Sequence, residues 1–134
     1  MSSHGQEFDF RSPPFDLLTA EQARVLAAAI DIEFVPAGTR LLEAGQGSDA
    51  MYVIMKGGIA AIDERDGVPR TFSEFGPSDL FGATAVLAGR ARHGYEAIED
   101  TLLWVIPAAA FRKAVESNGR FAAHFVDSLA KRTA

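Results

Sequence analysis

Apolar residues along the chain fall into three successive patterns. Through residue 12 they are sparse and aperiodic apart from Phe8 and Phe10, which reads as a loose leader over residues 1–12, with one ordered domain over 13–134 opening at Pro13-Pro14. Thr19-Ala20-Glu21-Gln22 then has the form of a capping box. The following EQARVLAAAI places Ala23, Leu26, Ala27 and Ile30 at helical spacing, so a first helix is predicted there. From Asp31 the texture changes to short runs rich in β-branched and aromatic residues, namely IEFV, TRLLE, AMYVIMK, IAAID, PRTFSEF, HGYEAIE and TLLWVI. Each is bounded by a turn signal, the mark of a compact all-β unit.

The turn signals are Pro36-Ala37-Gly38, Gly45 to Asp49, Gly57-Gly58, Asp66-Gly67 and Gly76-Pro77-Ser78-Asp79. Asp66-Gly67 is the best hairpin signal, because a type I′ turn needs positive φ at both central positions. After Pro107 helical spacing returns in AAAFRKAVES and in RFAAHFVDSLAKR, which carries Phe121, Phe125 and Leu129 four residues apart. The predicted class is mainly β with flanking helices: a jelly-roll-like, double-stranded β-helix barrel with an N-terminal helix and a C-terminal helical subdomain. The last helical run has no stop signal, and the chain is expected to continue into a longer protein.

Composition narrows the chemistry. A chain of 134 residues with 48% hydrophobic content supports one substantial core but not two ordinary domains. The absence of cysteine excludes disulfides, thiolate metal sites and thiol catalysis, and it fits a reducing compartment; the expectation is cytoplasm. No basic leader followed by an apolar run opens the chain, and no stretch is long enough to cross a bilayer, so neither secretion nor a membrane partner is expected. With a net charge of −5, nucleic acid would need a local basic patch. Lys131-Arg132 is the nearest to one and reads better as a helix-dipole complement. Nucleic acid is therefore not an expected partner.

Over residues 14–132 the pattern resembles the cyclic-nucleotide-binding domain family of catabolite-activator transcription factors, regulatory subunits of cyclic-nucleotide-dependent kinases and gated channels. The residues that carry the likeness are PAGTRLLEAGQGSDAMYVIMKGGIAAI, with Gly38, Gly45, Tyr52, Ile54, Gly57 and Gly58 at the family spacing, and GPSDLFGATAVLAG, which looks like its phosphate-binding cassette. Gly38, Gly45 and Gly57 fall where tight turns would force φ positive. The flanks EFDFRSPPFDLL and EAIEDTLLWVIPAAAF look like the N-terminal cyclic-nucleotide-binding-like module of bacterial proteins that also carry CBS domains and a nucleotidyltransferase-type domain. The resemblance implies a non-catalytic sensor or regulatory module with cAMP or cGMP as the possible ligand and no cofactor. An alternative is a ligand-independent interaction or dimerisation module, acting on a C-terminal effector domain or a second copy through the last helix.

The expected ligand-binding residues are Phe81, Gly82, Ala83, Thr84, Ala85, Arg92 and His93. Leu80 to Leu87 should turn from strand into a short helix, aiming the N–H groups of Gly82 to Ala85 at a phosphate. Family members carry a glutamate for the ribose 2′-hydroxyl after Phe-Gly, where this chain has Ala83, and an arginine further on for the phosphate. Arg92 lies nine residues after Ala83 and would make a two-pronged phosphate contact. Counting back from Ala97 instead puts Ala91 at the arginine position, and Arg90 is a further candidate. A lost charged hydrogen bond is worth ~1.5–3 kcal/mol, roughly ten- to more than hundredfold in affinity.

Catalysis has little to build on. His4, His93 and His124 have no ligand-spaced neighbours, and no nucleophile, base and orienting group can be assigned together. A metal-binding barrel would need several histidines and a carboxylate converging. Asp49 and Asp79 lie in turns, where aspartate commonly caps backbone. Trp104 reads as a packing residue, and Phe111, Phe121 and Phe125 either supply an interface or cover the end of the barrel.

Overall fold

Two strands of this chain, Ala50–Lys56 and Thr101–Pro107, are apolar on both faces because each serves two cores. The computed structural model describes the backbone over residues 4–133 and side chains over 5–127 apart from Arg65. Two 3-10 turns, His4–Glu7 and Phe15–Leu17, precede α1 (Ala20–Ala29). Eight strands follow: β1 (Asp31–Val35), β2 (Arg40–Leu42), β3 (Ala50–Lys56), β4 (Ile59–Arg65), β5 (Val68–Phe75), β6 (Leu80–Phe81), β7 (Gly94–Ala97) and β8 (Thr101–Pro107). The interruption between β6 and β7 is α2 (Ala83–Leu87), and α3 (Ala108–Ser117) and α4 (Gly119–Thr133) close the described chain.

The strands form two four-stranded sheets in the orders β1-β8-β3-β6 and β2-β7-β4-β5. The jelly-roll expectation is thus realised as two antiparallel sheets of four with helices attached. On β3, Met51 and Val53 enter one core cluster while Ile54, with Tyr52 packed against it, enters the other; on β8, Ile106 and Leu103 divide in the same way. This is the period of two expected of strands buried on both faces. The cluster shared with the helices contains Leu26, Ile30, Phe111 and Phe121, and the cluster shared between the sheets contains Val35, Ile59, Phe81 and Tyr95.

Local signals are realised where the sequence placed them. Thr19 caps α1 with its hydroxyl accepting from Gln22 N–H at 3.1 Å, and the Gln22 carboxamide accepts from Thr19 N–H at 3.0 Å. The β4–β5 turn has Asp66 at φ 61° and Gly67 at φ 76°, with Arg65 paired to Val68. Gly38, Gly45, Gly57 and Gly82 all have positive φ. At Gly57 a Cβ would also meet Thr101 Oγ1 at 2.5 Å and Asp100 O at 2.6 Å, so the β3–β4 turn requires glycine on two counts.

Two expectations change. The supposed leader is packed from Gly5 onward: Phe8 is 6% exposed and sits edge-on to Phe15 and Trp104. The Phe8 ring closes the helical core, and the polar residues around it hid this role in the sequence. Phe111, Phe121 and Phe125 are likewise interior, at 0%, 0% and 3% exposure, and are not available as an interface. They stack edge to face with one another, and Phe15 joins them through Phe121. The readings of Leu129, of Lys131-Arg132 and of the His4 side chain fall outside the described side chains. Among the described residues no helix is long and apolar enough to cross a membrane.

Candidate functional site

The cassette begins on β6, which pairs with β3 through Tyr52–Phe81 and Val53–Leu80. The turn before it is held by Asp79, whose carboxylate accepts from Gly76 N–H at 2.8 Å, as an aspartate capping a turn does. Gly82 then adopts φ 89°, ψ −8° and starts α2. A Cβ there would lie 3.3 Å from Ala50 O, so glycine lets this bend sit directly on β3. At the other end of α2, Arg112 of α3 donates to Val86 O at 3.1 Å, a cation on the helix's carbonyl end. Downstream the chain is stitched to the β2–β3 loop: Ala91 N–H donates to Gln46 O at 2.7 Å, and Ala91 O accepts from Gly45 N–H at 2.8 Å.

The expected site residues divide by environment. Phe81, Ala83 and Ala85 are buried at 2%, 8% and 2% exposure, and Thr84 is half-buried. Ala85 and Phe81 belong to the cluster between the sheets, whereas Ala83 joins the helical cluster with Met51 and Val86. Arg90 and Arg92 are exposed, and the residue buried between them is Ala91. His93 is half-buried and lies flat on Phe72, ring centroids 4.4 Å apart and planes 21° off parallel.

Next to the cassette the aromatic rings form a column the sequence reading did not anticipate. Tyr52 stacks on Phe81 at 5.0 Å, Phe81 stacks on Tyr95 at 5.2 Å, and Phe75 leans on Tyr95 at 6.0 Å. The signal was present in strand alternation, with Tyr95 and Ala97 facing one side of β7, but the two rings that sandwich Phe81, Tyr52 and Tyr95, are 43 residues apart. Burial, with a smaller contribution from the Glu33 carboxylate, raises the Tyr52 hydroxyl pKa above its ordinary value.

Charge gathers elsewhere, on the second sheet. Arg40 of β2 donates to Glu43 at 2.7 Å, Glu96 at 3.2 Å and Glu64 at 3.3 Å. Gly94 opposite leaves room for it, since a Cβ there would fall 2.7 Å from an Arg40 guanidinium nitrogen. This group borders a cavity of about 170 Å³. A second cavity, about 120 Å³, lies under the N-terminal segment beside Phe8 and Trp104, and a larger groove of about 300 Å³ runs between α1 and α3. None of these three is lined by an expected site residue. Among the described residues no group of three or more His, Cys, Asp or Glu is placed to hold a metal ion.

Residues 32–118 match the model of the cyclic nucleotide-binding domain family, and the chain belongs to that family. It is 30% identical to a cyclic nucleotide-binding-like protein of Brucella abortus, with a TM-score of 0.68 over 80% of this chain and 93% of that one. It superposes on the catabolite activator protein of Thermus thermophilus with a TM-score of 0.76 at 24% identity, over 91% of this chain and 58% of that one. A stretch of 79 residues, 58% of this chain, is 37% identical to the lysophospholipase NTE1 of Phaeosphaeria nodorum. The chain spans only 5% of that enzyme's length.

Proposed function

We propose that the domain is a non-catalytic regulatory module whose cassette receives the phosphate of a cyclic nucleotide, cAMP or cGMP, without a carboxylate contact to the ribose. Phe81 to Ala85 form the floor, the α2 end supplies N–H groups, and Arg92 supplies the cation with the His93 imidazole beside it. The observation that carries this reading is Ala83: it follows the left-handed Gly82 where family members place the ribose-binding glutamate, and it is a buried methyl. Without that carboxylate, affinity is lower by roughly ten- to a hundredfold. The module acts in the cytoplasm on an effector outside this chain, such as a CBS or nucleotidyltransferase-type domain following α4.

Titration calorimetry with cAMP and cGMP tests it on the parent, Ala83→Glu and Arg92→Ala proteins. Weak binding in the parent, abolished in Arg92→Ala and strengthened in Ala83→Glu, is the expected result. Binding that is indifferent to Arg92→Ala removes the assigned phosphate contact.

The stacked Tyr52–Phe81–Tyr95 column favours a second reading, in which the site beside the cassette is filled by the protein's own side chains. The domain then works as a ligand-independent interaction or dimerisation module. Silence toward both nucleotides in all three proteins, each with an intact thermal transition, selects this alternative.

A further inference from the structure

Between α1 and α3, away from the cassette, runs the groove of about 300 Å³, at the lower end of the ~300–1,000 Å³ typical of small-molecule sites. Its walls are Val25, Leu26 and Ala29 from α1 and Ala109, Ala110 and Ala114 from α3. Val25 is 42% exposed within it, an apolar side chain left open at the surface.

The polar groups at the rim are nearly all occupied by the protein itself. Glu21 is paired with Arg24 through two hydrogen bonds. Gln22 exchanges bonds with Thr19 in the capping box, donates to Ser117 O at 3.1 Å and accepts from Asn118 at 2.9 Å. The Ser117 hydroxyl donates to Lys113 O. The Lys113 ammonium is the exception: it makes no hydrogen bond or ion pair with any described residue. The groove therefore offers an apolar trough with one unneutralised cation at its edge.

From this charge and shape we infer that the α1–α3 groove is a second binding site, for a small anionic amphiphile: an aliphatic carboxylate whose chain lies on the alanine, leucine and valine wall while its head group pairs with Lys113. A neutral or cationic amphiphile of the same length lacks that pairing. A burial gain of ~0.8 kcal/mol per methylene corresponds to about fourfold tighter binding per carbon added, until the trough is full.

The test is titration calorimetry of the whole chain with hexanoate, octanoate and decanoate below their micelle concentrations, against decanol and decylamine. Ala109→Trp is the blocking variant, because residue 109 is exposed and the larger ring fills the trough without disturbing the core; Lys113→Gln removes the charge alone. The expected results are affinity rising with chain length, decanoate binding at least tenfold more tightly than decanol and decylamine, a loss of at least tenfold in each variant, and unchanged thermal transitions. Equal binding of all three ten-carbon compounds, or decanoate binding untouched by both substitutions, overturns the inference. So does a parent protein that is dimeric at titration concentration and becomes monomeric in Ala109→Trp, which would give the groove to a second copy of the chain.

Discussion

At the residue scale, one buried and one half-buried hydroxyl show how much a single polar atom can matter. Thr101 is 1% exposed; its Oγ1 accepts from Gly58 N–H at 3.1 Å and lies 2.8 Å from Glu99 O as donor. Thr101→Val keeps the shape but leaves the Gly58 N–H without its acceptor, so a loss of about 1–3 kcal/mol in urea unfolding is expected. Tyr52 answers to pH. Burial raises its pKa, so the folded state holds the phenolic proton more tightly than the unfolded chain, whose value is ~10. Its contribution is complete below about pH 10 and is lost as pH rises through the folded value. Alkaline unfolding followed by circular dichroism should show stability declining above about pH 10, and Tyr52→Phe should flatten that decline. The roles of Gly57 and Gly82 were legible in the sequence as turn glycines. The atoms that a Cβ would crowd at either position were not, because they belong to other strands or to the turn before β8.

Elements were the most readable level, since caps and turns depend on residues a few positions apart. The Thr19–Gln22 capping box and the Asp66-Gly67 hairpin both stand where local chemistry placed them. Removing the cap oxygen with Thr19→Ala should cost about 1 kcal/mol in thermal or chemical unfolding. Gln22→Ala should cost more than Thr19→Ala, because Gln22 also holds Ser117 and Asn118 and so ties α1 to the end of α3. That second duty lies 95 residues away along the chain, beyond the reach of a motif. In the cassette, the turn from β6 into a short helix was foreseen, but not the Arg112 bond from α3 that holds the far end of α2. Nor does helical spacing say which cluster each small side chain joins: Ala83 goes to the helices and Ala85 to the space between the sheets.

At the scale of the whole molecule, the stretch from Gly5 to Ser12 is part of the fold. Phe8 is buried with Phe15 and Trp104 around it, and Phe8→Ala should therefore destabilise the domain by about 3–5 kcal/mol in chemical denaturation. A loose leader would leave the midpoint unchanged. The helical layer is likewise held by interior aromatics, so the described part of α4 meets the domain through Phe121 and Phe125 rather than presenting them outward. What the sequence by itself determined was the order of helices and strands, the caps, the glycine turns and the family's cassette, because each is specified by residues within a turn or a strand of one another. Tertiary structure alone decided that Phe8 is core, that Tyr52, Phe81 and Tyr95 form one column, and that Ala83 packs with the helices while Arg92 faces solvent. Those outcomes depend on register between strands far apart in the chain, and a shift of one residue in pairing exchanges the two faces of a strand.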